Sequence, residues 1–204
     1  MTIRDELRKA TGKELAERLA RGHALQADSI AGWIYRGTSL GLSRWMEALS
    51  WVSFQKAFFR DDASGRVMGW NVRLEQTGLH GPSRPKKERS GEPKRFGAFE
   101  VYPSNVRAPR PVPEGAALID YSRATAHLLD PLWFVRDPLV ALEPGNPEVL
   151  LGWSYIALGK GISTSSYFLL EREKPLDHAP PKAVVRALAR IPATRELSAR
   201  AVAR

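Results

Sequence analysis

Hydrophobic and polar positions alternate in short runs along most of the chain. In residues 66–76, apolar side chains such as Trp70 and Val72 alternate with polar ones such as Asn71 and Arg73. Period-two alternation predicts a β-strand that is half buried or lines a polar space. The turn residues 61–65 precede this strand and predict a hairpin with the run before it. The other predicted strands cover residues 33–38, 51–59, 96–102, 116–121, 138–142, 148–158 and 165–173.

Helical patterns are confined to three places. The first 22 residues predict a helix, with Thr11 and Glu14 in capping-box spacing and Gly22 as a stop. Ser43 could cap a short helix through Leu49, and apolar residues of 184–191 share one helical face.

Seven or eight short strands with short connections and no strand–helix–strand rhythm favour an antiparallel sheet closed into a barrel. We therefore predict a mainly β fold with three parts. Residues 1–22 form an N-terminal helical segment, residues 23–176 form the barrel, and residues 177–204 form a basic helical tail.

The order of these motifs resembles proteins of unknown function that carry a G-x-W-x-G signature. Trp33-Ile34-Tyr35-Arg36-Gly37 stands in the place of the signature, with Trp33 for its first glycine and Tyr35 for its tryptophan. The strand 118–121, the run 150–152 and the aromatic strand 167–170 follow in the same order. The resemblance spans roughly residues 28–173 and implies a lipocalin-like (calycin-type) barrel that holds a small apolar ligand.

Composition narrows the class of protein. The 204 residues are 43% hydrophobic and 26% charged, which is typical of a globular domain. The absence of cysteine excludes disulfides and thiol chemistry. The longest apolar run is too short to cross a bilayer, and the N-terminus has no apolar signal core, so we expect a cytoplasmic protein.

The net charge of +9 is concentrated in two segments. Residues 81–97 combine Lys and Arg with Pro, Gly and Ser, which predicts a solvated loop, and residues 181–204 hold six basic residues against one acid. Either segment could contact nucleic acid or an anionic membrane surface, although the loop has no aromatic side chain before Phe96 to stack on a base. Binding of such a partner is one hypothesis for this chain.

The aromatic residues suggest a second hypothesis. Trp33, Trp70 and Trp153 lie on separate predicted strands near Tyr35, Tyr155 and Tyr167. If those faces converge, they form the wall of a cavity for a small hydrophobic or amphipathic molecule; otherwise they fill the core. Oligomeric state is left open.

Asp120 is a carboxylate among apolar neighbours in residues 118–121. If it faces inward it needs a partner, for which Arg73 and Arg36 are candidates, and Asp120 and Arg73 would then orient the ligand. Period two equally allows Asp120 to face solvent. Asp130 and Asp137 each precede a proline, so we predict that both are turn residues.

An enzyme that uses the same cavity, of isomerase or hydrolase type, is the third hypothesis. Residues 37–41 match G-x-S-x-G, the nucleophile elbow, with Ser39 at its centre. His127 or His178, with Asp120 or Asp130, could supply the rest of a catalytic triad. An elbow needs a parallel α/β sheet, which this chain does not predict, so a glycine-flanked strand exit is the simpler interpretation. The four histidines have no metal-ligand spacing, haem on His80 or His127 has no local support, and no cofactor is expected.

Overall fold

The structure is a computed structural model that describes residues 2–41, 52–104, 108–124, 130–181 and 184–185. Its described residues include eight antiparallel strands that pair in chain order, and the last strand pairs with the first to close a barrel. The strands are β1 Trp33–Leu40, β2 Ser53–Arg60, β3 Val67–Arg73, β4 Arg95–Pro103, β5 Ala117–Asp120, β6 Val135–Glu143, β7 Asn146–Ile156 and β8 Ile162–Pro175. The predicted antiparallel barrel is confirmed, and each predicted run overlaps one strand.

Two helices, α1 Ile3–Lys9 and α2 Gly12–Ala20, precede the barrel. The prediction of one helix over the first 22 residues is wrong in this respect. Thr11 caps α2 in a capping box with Glu14, and a capping residue has extended backbone angles, so the helix is interrupted there. The predicted helix 43–49 lies outside the described residues, as does the predicted helical tail except for residues 177–181 and 184–185. No described helix is long and apolar enough to cross a membrane.

The helices cover one outer side of the barrel. Leu7 of α1 and Leu15 of α2 belong to the same buried cluster as Leu151 and Trp153 of β7. The neighbouring Leu150 belongs instead to the cluster that fills the barrel. Because successive side chains of a strand point to opposite faces, β7 is buried on both faces.

The segment between α2 and β1 closes one end of the barrel. Leu25 and Ile30 from this segment pack with Tyr35 in the apolar cluster that fills the barrel. The Arg172 guanidinium lies 4.4 Å from the centre of the Trp33 ring and donates a hydrogen bond to the Tyr35 hydroxyl. Side chains therefore fill the end at which β1 begins. Strands β1, β3, β5 and β7 end at the opposite end of the barrel.

Glycines on the barrel wall make room for aromatic rings inside it. A Cβ atom on Gly69 would lie 2.4 Å from the Phe99 ring and 2.4 Å from the Ala57 carbonyl oxygen. On Gly152 it would lie 2.1 Å from the Phe168 ring. Only glycine allows these rings to lie against the backbone of the wall.

We expect Gly69→Ala to lower the free energy of unfolding by about 1–3 kcal/mol, because the new methyl group meets both a ring and a backbone oxygen. Urea unfolding followed by circular dichroism measures this change. Gly12→Ala is the matched control, since a Cβ atom at that position would meet nothing within 4 Å and alanine favours a helix. Equal stabilities for the two variants would show that the wall does not need its glycine.

Candidate functional site

Four polar side chains meet inside the barrel. The Lys56 amine of β2 lies 2.8 Å from the Asn71 Oδ1 atom, 2.6 Å from the Tyr121 hydroxyl oxygen and 3.5 Å from the Asp137 Oδ2 atom. Asn71 belongs to β3, Tyr121 follows β5, and Asp137 belongs to β6. Since β2 and β6 are not neighbours, the contact between Lys56 and Asp137 spans the barrel interior. We call these four residues the interior polar cluster.

The cluster is removed from solvent but is not fully satisfied. Lys56 and Asp137 are each 2% exposed. The Tyr121 hydroxyl donates to Asp137 Oδ2 at 3.1 Å, and the Asn71 amide donates to the Gly97 carbonyl oxygen at 3.1 Å. The second carboxylate oxygen, Asp137 Oδ1, is buried with no hydrogen-bond partner among the described residues. One strong acceptor inside the barrel is therefore unused.

Aromatic rings enclose the amine. The Lys56 Nζ atom lies 4.9 Å from the ring centre of Phe99, 5.2 Å from Tyr121, 5.3 Å from Phe168 and 5.7 Å from Phe54. Ring faces at these distances attract a cation and exclude water. Phe54 is the ring among these four that is partly exposed, so it separates the amine from solvent.

Burial shifts the pKa values of Lys56 and Tyr121. Loss of hydration lowers the pKa of the Lys56 amine, and the charge and hydrogen bond of Asp137 oppose this effect. Burial, followed by the Asp137 charge, raises the pKa of Tyr121 well above its ordinary value. Tyr121 therefore remains a neutral hydroxyl that accepts from the amine and donates to the carboxylate. The arrangement can hold a polar atom of a guest and can pass a proton along Lys56, Tyr121 and Asp137.

The predicted ligand wall is divided among three clusters. Trp33 packs against the interior cluster, to which Tyr35 belongs. Trp153, Tyr155 and Tyr167 lie in the cluster under the N-terminal helices, and Trp70 lies in a third cluster with Val184. Of the six aromatic residues predicted to line one cavity, only Trp33 and Tyr35 therefore lie together at the barrel interior. Contact of any of these side chains with a ligand stays a prediction.

The polar residues of the predicted site also lie apart. Asp120 is buried, accepts a hydrogen bond from the Tyr102 hydroxyl at 2.7 Å and pairs with Arg136 at 3.1 Å. Its partner is thus neither of the arginines that we considered. Arg36 binds the carbonyl oxygens of residues 78, 79 and 81. Arg73 ends β3, where its backbone N–H donates to the Lys94 carbonyl oxygen.

The nucleophile-elbow motif does not have the required local structure. Ser39 lies within β1, paired with β2 and β8 in an antiparallel sheet, and not at a turn from a strand into a helix. Its candidate partner His127 lies outside the described residues. The His178 ring makes an edge-to-face contact with Trp70, which belongs to the third cluster. In the described part of the chain, no group of three or more histidines and carboxylates could hold a metal ion.

The basic stretch forms a hairpin that extends β3 and β4. The Lys86 N–H donates to the Arg73 carbonyl oxygen, and the Glu88 N–H donates to the Glu92 carbonyl oxygen. The exposed residues of this hairpin include Lys86, Lys87, Arg89 and Lys94. It projects from the end of the barrel opposite to the one that Leu25 closes. Binding of nucleic acid or of an anionic membrane through residues 81–97 and 181–204 stays a prediction.

Three of the four cluster residues were missed by sequence reasoning, and Asn71 was noticed only as a polar position. The prediction that Asp137 is a turn residue is wrong, because Asp137 lies within β6. The same prediction for Asp130 is consistent with the structure, in which Asp130 caps a short helix. A signal for Lys56 did exist. It is the one charged side chain in the aromatic run 51–59, and a charge in such a strand needs a buried partner.

No protein-family model and no curated protein matches this chain.

We expect Lys56→Met to lower the free energy of unfolding at neutral pH by about 3–5 kcal/mol, because it leaves the Asp137 carboxylate buried without a cation. Adding Asp137→Asn should restore at least half of that loss, since the amide removes the unpaired charge and nearly keeps the shape. Chemical denaturation of both variants gives the comparison. A double variant no more stable than Lys56→Met would mean that lost packing, and not charge, causes the effect.

Proposed function

We propose that the barrel binds a small apolar or amphipathic molecule and that the interior polar cluster holds the polar atom of this guest. The observation that carries the proposal is the Lys56–Asp137 pair inside an apolar, ring-lined barrel, with Asp137 Oδ1 left without a partner among the described residues. Small-molecule sites have this composition: an apolar wall and a few convergent polar groups.

A purely structural role explains the cluster poorly. Two charges removed from water lose hydration that their mutual attraction barely repays, so a buried ion pair is weak support for stability. Apolar side chains of similar volume would fill the same space at lower cost. Buried titratable groups with shifted pKa values occur preferentially at functional sites. A binding function accounts for keeping Lys56 and Asp137 in the core.

The position of the cluster supports entry from one end. Asp137 is the third residue of β6, and Tyr121 follows the last residue of β5, so both lie toward the end away from Leu25 and Ile30. At this end Leu132, Val135 and Phe54 are partly buried and pack against the apolar side chains that fill the barrel. A guest that displaces the Phe54 ring would reach the amine directly.

The architecture is compatible with a lipocalin-like type, which we include in the proposal. Barrels of eight strands are wide enough for side chains or for one small ligand. Here one end is closed by the segment before β1, and the other end carries the polar cluster. Trp33 and Tyr35 would then form the floor of the ligand site.

Three probes of equal size and different head group test the proposal: cinnamyl alcohol, cinnamaldehyde and cinnamate. We expect native mass spectrometry to show one bound molecule per chain for at least one probe. Isothermal titration of Tyr121→Phe should show about 5- to 30-fold weaker binding of that probe, because a hydrogen bond worth about 1–2 kcal/mol is lost.

Tyr102→Phe is the matched control, because it removes a hydroxyl whose hydrogen-bond partner is Asp120 and not a residue of the interior polar cluster. It should bind the probe as the wild type does. If none of the three probes binds, or if the two variants weaken binding equally, the proposed site is wrong.

A further inference from the structure

We propose that Lys56 is a nucleophilic amine that forms an imine with an aldehyde or ketone held in the barrel. This inference rests on the proposed function, since the carbonyl compound must first bind there. It names the chemical class of the ligand and a covalent step at one atom. The interior polar cluster carries the argument, because it combines a primary amine, a proton acceptor and a bridging hydroxyl in a dry, ring-lined space.

The geometry supplies what a nucleophilic amine needs. The amine has to lose a proton, and the Tyr121 hydroxyl at 2.6 Å leads to Asp137 Oδ2 at 3.1 Å. Loss of hydration in the cage favours the uncharged form of the amine. The surrounding rings of Phe99 and Phe168 lower access of water to the imine, which water would hydrolyse.

The reaction balances within the cluster. Lys56 transfers one proton through Tyr121 to Asp137, and its lone pair attacks the carbonyl carbon to form a C–N bond. The carbonyl oxygen takes up the second proton of the nitrogen and becomes the hydroxyl of a carbinolamine. Asp137 returns its proton to this hydroxyl, which leaves as water while the nitrogen lone pair completes the C=N bond. Nothing is oxidised or reduced, and one water is released.

The neutral form of Lys56 is accessible below the range in which surface lysines lose their protons. Burial lowers the pKa of this amine, whereas Lys13 is an exposed lysine whose side chain is 87% accessible. Each unit by which a pKa is lowered raises the neutral fraction about tenfold at a pH well below it. The described groups that face Lys56 are Asn71, Tyr121 and Asp137 with the four rings of the cage, so no second cation among them competes for the carboxylate.

The experiment is reductive trapping of cinnamaldehyde with sodium cyanoborohydride at about pH 7.5, followed by peptide mapping by mass spectrometry. Lys56 should gain the mass of the aldehyde less one oxygen atom, at least about ten times faster than Lys13. The chain has no cysteine, so thiol addition to the unsaturated aldehyde does not compete. Because mapping locates the adduct on the wild-type chain, the result does not depend on a variant that folds poorly.

Two variants separate chemistry from binding. Tyr121→Phe should slow modification of Lys56 by more than its loss of affinity explains, because the proton path to Asp137 is broken. Lys13→Arg should leave modification of Lys56 unchanged. Modification of Lys56 at the rate of Lys13, or no adduct on Lys56, would overturn the inference. If cinnamyl alcohol binds in the same preparation, the proposed function survives that result; if no probe binds, both fail.

Discussion

The pairing of Lys56 with Asp137 across the barrel is the interaction that constrains the interior most strongly. The pair joins β2 to β6, two strands that share no backbone hydrogen bonds. A charge inside a closed barrel requires an opposite charge and hydrogen-bond partners within reach. Asn71 and Tyr121 supply these partners and fix the position of the amine among the rings.

The rings could not surround the amine without the glycines of the wall. Phe99 and Phe168 lie where side chains on Gly69 and Gly152 would otherwise stand. The barrel wall therefore needs small residues at the positions against which the large aromatic rings of neighbouring strands pack. The result is an interior that is apolar except at one group of polar atoms, which is the composition expected of a site for a small guest.

The local sequence pattern, either period-two alternation or a short apolar run between turn residues, predicted the eight strands. It did not show which face is inward. On β3 the apolar face with Trp70 packs outside under Val184, whereas the polar face with Asn71 lines the interior. The usual assumption that the more apolar face points inward fails here, since helices and terminal segments cover the outside of the barrel.

The sequence by itself determined the strands, their antiparallel order, the capping box of α2 and the apolar character of most of the barrel, because each depends on neighbours along the chain. Tertiary structure alone decided the site. Lys56 and Asp137 are far apart in sequence and lie on strands that do not pair, so no local pattern relates them. Closing the barrel brings them together, because the inward faces of all eight strands then share one interior.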